Sequence, residues 1–351
     1  VFHPPIQCND GVERKKGIGK VFFQQRHKYV EQAMAQRLKQ IDRRSRFTNP
    51  LMHECTIDRQ ALFSHTDTGK KCKRALKNRS NHFEQLIYKH KGVDLRTYMR
   101  KVQHFKMVDQ PTNKFILTLL KCVALLQKHD IVHLDVKPAN ILITDDDRLL
   151  MIDFGLARHP SLVYDVNSSK HLLSHKYYVY PPEFKIYTSL QALSSSKRLS
   201  NSYVTNDYDT FLSDWKAAVL KANTRWYTNY GRLRAWLKEV PITFEELTTD
   251  LEQFVDQLFD NFKTQRLSNE SLDRIYDIFN VIANKVDIFG VGVSVLIMFC
   301  TSQDKATMEA SVKKRFVRLI TRCIQMNPYK RYDVNQALRY YKTIVRYIKE
   351  H

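Results

Sequence analysis

One short stretch limits what this chain can become: His133-Leu134-Asp135-Val136-Lys137-Pro138-Ala139-Asn140, followed by Asp153-Phe154-Gly155. In order it supplies a carboxylate, an ammonium, an amide and a second carboxylate at positions 135, 137, 140 and 153. Taken singly, such residues are solvated or cap helices. As an ordered set they meet the needs of moving a phosphoryl group from a magnesium-bound nucleotide. The first carboxylate orients a hydroxyl nucleophile, the lysine offsets charge on the group in flight, and the Asn and second Asp hold metal against phosphate oxygens.

The rest of the chain can house such a site. Its 351 residues, 43% of them apolar, suffice for two lobes and a buried core, and the spread of aromatic residues argues against global disorder. Cys8, Cys55, Cys72, Cys122, Cys300 and Cys323 contain no C-x-x-C pair. That spacing argues against a zinc module or a disulfide framework and favours a reducing compartment, so the expected location is cytoplasmic. The longest apolar run, Ile288 to Cys300, falls short of the roughly 20 residues that span a bilayer. No signal peptide is visible, and the chain opens at Val1 rather than Met.

The formal net charge is +21, and residues 1–110 carry 24 Lys and Arg against 10 Asp and Glu. Such a surplus favours acidic partners, including nucleic-acid surfaces. Its densest cluster, Lys70-Lys71-Cys72-Lys73-Arg74 with Lys77 and Arg79, lacks the interleaved aromatics of a base-stacking platform and reads as a solvated loop.

Periodicity predicts an extended segment at 1–8 broken by Pro4 and Pro5, then a strand over 17–23. A helix follows from Lys28 to Ile41 with Val30, Met34, Leu38 and Ile41 inward, and short strands are expected over 51–57 and 84–88. A further helix, capped by Asn113, runs to Lys128, and apolar strands are expected at 141–143 and 149–152. The Ser-rich segment 189–206 reads as a linker. Residues 207–285 read as helical, with Trp215, Trp226 and Trp236 as core.

The catalytic stretch resembles the catalytic and metal-binding loops of eukaryotic-type Ser/Thr protein kinases. The resemblance implies an α+β, bilobal fold: a small β-rich N-lobe (1–88), a hinge (89–92), and a larger, mainly helical C-lobe (93–351) with a helical insertion at 185–285. It assigns Asp135 as catalytic base, Lys137 as the phosphate-facing lysine of Ser/Thr-directed members, and Asn140 and Asp153 as Mg2+ ligands. Pro181-Pro182-Glu183 resembles the A-P-E element, with Glu183 expected to pair with Arg331. Asp287 resembles the aspartate that ties down the catalytic-loop backbone. Lys20 becomes the lysine that grips the ATP phosphates and Glu31 its partner. Ile18 stands where the family has a small alanine. Val1 resembles the valine after the glycine-rich loop, a loop expected upstream of this chain, so Gly17 and Gly19 are not read as that loop. Tyr88, Lys89, His90 and Lys91 are placed at the strand-to-hinge passage beside adenine, and Leu142 joins them as a cofactor-binding residue. His133 and Phe154 are read as packing.

The short Lys20-to-Glu31 spacing and the Pro4-Pro5…Cys8 pattern are similar to kinase-like proteins of large nucleocytoplasmic DNA viruses, which implies host cytoplasm or virion. Leu134 stands where many regulated members have an arginine, so activity is expected not to depend on phosphorylation at Ser161, Ser168, Ser169, Ser174, Tyr177, Tyr178 or Tyr180. The implied function is ATP-dependent phosphorylation of Ser or Thr in protein substrates. The alternatives are a catalytically weak scaffold with a basic N-terminal surface, and a small-molecule kinase whose pocket is shaped by the insertion.

Overall fold

The computed structural model describes residues 1–11, 17–64, 80–102, 104–164, 178–194, 213, 216–221, 235–240, 243–264 and 277–351. The basic cluster at 70–79, Ser168, Ser169, Ser174, Tyr177, Trp215 and Trp226 lie outside them. The chain divides into two compact units, one of residues 1–101 with 138–157, the other of 102–137 with 158–351.

The first unit carries two antiparallel sheets. One has the order β1 (Ile18–Phe22), β3 (His82–Tyr88), β2 (Leu51–Asp58). The other runs β4 (Gly92–Asp94), β5 (Ile141–Thr144), β6 (Leu149–Met151). In β3 the residues Phe83, Gln85, Leu86 and Ile87 are buried, and Phe83 joins Phe2, Ile6, Ile57 and Leu62 in a core cluster. The segment before β1 is a further edge: Phe2 and Gly19 exchange backbone hydrogen bonds of 2.7 and 2.9 Å. The buried Gln85 amide then clamps Ile6, accepting from its N–H at 3.1 Å and donating to its carbonyl at 2.9 Å. A side chain at position 19 would put its Cβ 2.2 Å from Gln85 Oε1 and 3.2 Å from the Pro5 backbone, so Gly19 is there for close packing.

Helix α1 (Gln25–Ile41) starts three residues before the expected Lys28. Its inner face is Lys28, Glu31, Met34 and Leu38, whereas Val30 is largely exposed. The sequence stripe was offset because two charged residues turn inward to partners: Lys28 Nζ lies 3.1 Å from Glu54 and 3.3 Å from Glu84. Beyond α1, the buried Asp42 carboxylate accepts the N–H groups of Arg46, Phe47 and Thr48, each at 2.9 Å, and so shapes the turn leading to β2. Two short helices, α2 (Arg59–Ser64) and α3 (Leu95–Lys101), complete this unit.

The cysteine expectation is corrected here. Cys8 and Cys55 form a disulfide, because Asn9 N–H bonds Thr56 O (2.9 Å) and lays the N-terminal segment beside β2. Cys122, Cys300 and Cys323 are not in disulfides, and Cys72 lies outside the described residues.

The second unit is helical: α4 (Gln110–Lys128), α5 (Glu183–Ser194), α6 (Phe244–Thr264), α7 (Val286–Thr301), α8 (Ala310–Cys323) and α9 (Val334–Glu350). Helix α4 begins after Asp109 with a proline in its first turn, not at Asn113. Asn113 instead holds Tyr341 of α9 through a 2.8 Å bond to the phenol. Residues 189–194, expected in a linker, extend α5. Helix α7 is buried along nearly its whole length, which explains its unbroken apolar run. Among the described residues no single helix is long and apolar enough to cross a membrane; Asp277–Ala283 with Val286–Thr301 reaches the length only as a pair bent by 43°.

Within the 185–285 stretch, α6 is built into the core through Leu251, Phe254, Val255 and Leu258. Its Asp250 carboxylate accepts the Asn327 N–H at 2.6 Å. Trp236 is half-buried, with its ring centroid 5.9 Å from that of Tyr178. Behind Pro181-Pro182-Glu183, the rings of Tyr164, Tyr187 and Phe279 pack at centroid distances of 5.0 to 5.1 Å.

Glu183 and Arg331 form a bidentate pair at 2.6 and 3.0 Å, and both side chains are 0% exposed. The sequence spacing alone allowed an ordinary surface pair; the structure buries it. Removing one partner strands a charge in a dry interior, so Glu183→Gln should lower unfolding stability by about 3–5 kcal/mol. Glu183→Leu combined with Arg331→Met should cost clearly less than either single change. Urea unfolding of the wild type and these variants checks this.

Candidate active site

A cavity of about 240 Å³ opens in the first unit. Val1, Ile18, Tyr88, Leu142, Met151 and Phe154 give it apolar walls, and Lys20, Glu31, Asn140 and Asp153 give it a polar end. Lys20 reaches it from β1, fixed by the pairing Lys20↔Leu86 with β3. Its ammonium forms an ion pair with Glu31 of α1 and lies 2.8 Å from Asp153 Oδ1. Glu31 is in turn held by the Tyr88 hydroxyl, which donates to Oε1 at 2.8 Å.

Burial would lower the Lys20 pKa, but the charges of Glu31 and Asp153 and hydrogen bonds to both outweigh it, and the pKa is raised. Lys20 is therefore a firm cation. Burial, and then the charge of Glu31, pushes the Tyr88 phenol well up, so it stays a donor.

Asp153 takes a left-handed backbone conformation (φ 64°) at the start of a 3₁₀ turn, Phe154–Leu156. This conformation is uncommon away from glycine, though aspartate is among the residues that tolerate it. Asn140 closes another 3₁₀ turn, Pro138–Asn140, just before β5, and its carbonyl accepts the Ile152 N–H at 3.0 Å. The Asn and Asp side chains thus line one cavity from two turns that flank the β5–β6 hairpin. An amide oxygen and a carboxylate form a hard-oxygen donor set that suits Mg2+.

The proposed hinge residues divide. Tyr88 lines the cavity, while Lys89, His90 and Lys91 line a separate shallow groove with Thr144, Asp146 and Arg148. The backbone there is braced by residues that sequence reading passed over. Lys89 N–H donates to Pro50 O at 3.0 Å, and the Asn49 amide bonds both the N–H and the carbonyl of His90 at 2.9 Å. Asn49 and Asp42 also line the cavity. Their only sequence signal was an Asx-type residue next to a turn, which is too common to single out.

Asp135 and Lys137 belong to the second unit. Asp135 is 6% exposed, and Lys137 Nζ lies 2.8 Å from its Oδ2. The buried His133 ring accepts the Asp135 N–H at 3.2 Å, a packing and orienting role. The loop's backbone is anchored as expected for Asp287, whose carboxylate accepts the N–H groups of His133 (2.7 Å) and Leu134 (2.9 Å). Burial raises the Asp287 pKa, opposed by His133 and by these two hydrogen bonds. Leu134 is left-handed at φ 65°, a strain of about 1–3 kcal/mol that persists only where surroundings impose it. Gly290 lets α7 approach the loop, since a Cβ there would lie 2.6 Å from Val136 O.

Residues 18–192 match the protein kinase domain family. Over 73 residues, 21% of this chain, the sequence is 38% identical to "Cell division control protein 2 homolog 3" of Trypanosoma brucei brucei and 36% identical to "Cyclin-dependent kinase 4" of Xenopus laevis, covering 23% of each. It is 35% identical over 68 residues to human "Cyclin-dependent kinase-like 5", covering 19% of this chain and 7% of that protein. The chain thus spans about a quarter or less of the curated relatives it matches. These matches support the eukaryotic-type protein kinase superfamily, and the antiparallel-sheet N-terminal region with a helical remainder fits that α+β fold.

Asp287→Ala removes the acceptor from two buried N–H groups. It should cost about 1–3 kcal/mol for each orphaned group, read by chemical denaturation. Tyr88→Phe, which loses one hydrogen bond to a carboxylate, should cost about 1.5–3 kcal/mol by the same measurement.

Proposed function

We propose that this protein is an ATP-dependent kinase that phosphorylates Ser and Thr hydroxyls of protein substrates. The observation that carries the reading is Lys20, held between Glu31 and Asp153 at the polar end of a cavity that Asn140 also lines. A cation fixed there binds the phosphates of a nucleotide whose base occupies the apolar part, against Val1, Ile18, Leu142 and Met151. Asn140 and Asp153 would hold Mg2+, which when bound would supply charge neutralisation on the phosphate oxygens.

Asp135 accepts a hydrogen bond from the substrate hydroxyl and orients it for attack. Lys137, ion-paired to Asp135, offsets charge on the γ-phosphoryl group. Lysine at that position favours Ser or Thr over Tyr, by family resemblance. The buried Glu183–Arg331 pair and the aromatic packing behind Pro181-Pro182-Glu183 favour a protein substrate over a metabolite, because they brace the segment on which the family rests its peptide. A basic N-terminal half suits acidic partners, and the N-terminal pattern favours an origin among large DNA viruses and work in the host cytoplasm.

Transfer of label from γ-labelled ATP to a generic basic protein, run beside a panel of metabolites, tests the reading. Asp135→Ala and Asp153→Ala should each reduce transfer by about a hundredfold or more in protein that still unfolds cooperatively on heating; retained turnover in a pure Asp153→Ala sample contradicts the assignment. Because Leu134 cannot pair with a phosphate, phosphatase treatment should leave the rate unchanged.

A further inference from the structure

The bonded cysteines sit in a wider cluster of metal-ligating side chains. Cys8 Sγ, an Asp10 carboxylate oxygen and a His53 ring nitrogen all lie within 4.8 Å of one another, and Cys55 is bonded to Cys8. In sequence these are two short pairs, Cys8-x-Asp10 and His53-x-Cys55. His53 and Cys55 share one face of β2 because strand side chains alternate, and the Asn9-to-Thr56 backbone bond holds the first pair beside them.

Two further observations point to a ligand. His53 Nε2 is shielded from solvent yet makes no hydrogen bond, although Asp10 Oδ2 lies 3.4 Å away. The buried Gln85 amide aims its nitrogen at both sulfurs, 3.6 Å from Cys55 Sγ and 3.9 Å from Cys8 Sγ. An amide N–H is a far better partner for a thiolate than for a disulfide sulfur, and such outer donors commonly steady metal-bound ligands.

We propose that reduction of the disulfide turns this cluster into a Zn2+ site, with Cys8, Asp10, His53 and Cys55 as a tetrahedral set, so that disulfide and metal are alternative closures of one place. Two thiolates with an imidazole select zinc over Mg2+ or Ca2+. Zinc–ligand bonds of about 2.0–2.3 Å put neighbouring ligand atoms roughly 3.3–3.8 Å apart, so the Cys8, Asp10 and His53 atoms draw together by on the order of 1 Å while the two sulfurs, no longer bonded, move apart.

The chemistry balances with a dithiol as reductant. The dithiol delivers two electrons and two protons, its own sulfurs join as a cyclic disulfide, and the Cys8–Cys55 bond becomes two thiols. Zn2+ then displaces both thiol protons to solvent as the two Zn–S bonds form. Either closure fastens residues 1–8 to β2. The inference does not depend on the phosphotransfer reading.

The test uses the full chain, reduced with dithiothreitol, desalted without oxygen and titrated with Co2+ and then Zn2+. The expected result is one Co2+ per chain, with visible bands of a tetrahedral site and a near-ultraviolet thiolate-to-cobalt band, both erased by one equivalent of Zn2+. Protein reoxidised with diamide should show neither band. Cys8→Ser and Cys55→Ser should each lose or halve the charge-transfer band, and His53→Ala and Asp10→Ala should weaken Co2+ binding by about tenfold or more. The two latter positions are partly exposed (38% and 39%), so they keep the question answerable if a cysteine variant fails to fold, as judged by thermal melting. Absence of stoichiometric binding to the reduced wild type, equal binding after oxidation, or bands unchanged in His53→Ala and Asp10→Ala would each overturn the proposal.

Discussion

An ammonium group enclosed between two carboxylates organises the first unit. Lys20 comes from β1, Glu31 from α1 and Asp153 from the turn after β6, so one cation joins a strand and the helix that follows it to a turn 133 residues further along the chain. Desolvation disfavours the charge, and the two carboxylates more than compensate. Each also has another attachment: Glu31 receives the Tyr88 hydroxyl, and Asp153 is carried on a left-handed turn. The ion pairs that form the polar end of the cavity therefore also hold the helix against the sheet.

In the second unit the corresponding work is done by buried carboxylates that accept backbone N–H groups. Asp287 fixes the loop that bears Asp135, Asp304 holds Met107 and Val108, and Asp250 holds Asn327. Each satisfies donors that an irregular backbone leaves open in a dry interior, where an unpaired group is costly. Loops such as the one that bears Asp135 are in this way given fixed shapes without regular secondary structure.

Residues that act through an ordered motif were legible in the sequence. Asp135, Asn140 and Asp153 were singled out by mutual spacing, Glu183, Arg331 and Asp287 by the resemblance to protein kinases, and the structure places Glu183 against Arg331 and Asp287 against the loop backbone. The strands of the first sheet were legible as short candidates near 17–23, 51–57 and 84–88, and the structure has them at Ile18–Phe22, Leu51–Asp58 and His82–Tyr88. What periodicity misjudged was the inner face of α1, because Lys28 and Glu31 look solvent-facing until their partners on β1, β2 and β3 are known. The Cys8–Cys55 pair escaped because its members are 47 residues apart and meet only through strand pairing. Gln85, Asn49 and Asp42 escaped for a related reason: each serves backbone groups, and that service leaves no pattern in the residues being served.

The tie between α6 and the Asn327 turn has a mechanical consequence. Asp250 grips the Asn327 N–H, the Asn327 carbonyl receives the N–H groups of Lys330 and Arg331 at 3.1 Å, and the Arg331 guanidinium grips Glu183. These links act in series, like a lever with its fulcrum at the turn. Displacing α6 along its axis therefore pulls on the Pro181-Pro182-Glu183 corner, so a helix that looks like an accessory is tied through hydrogen bonds to the start of α5.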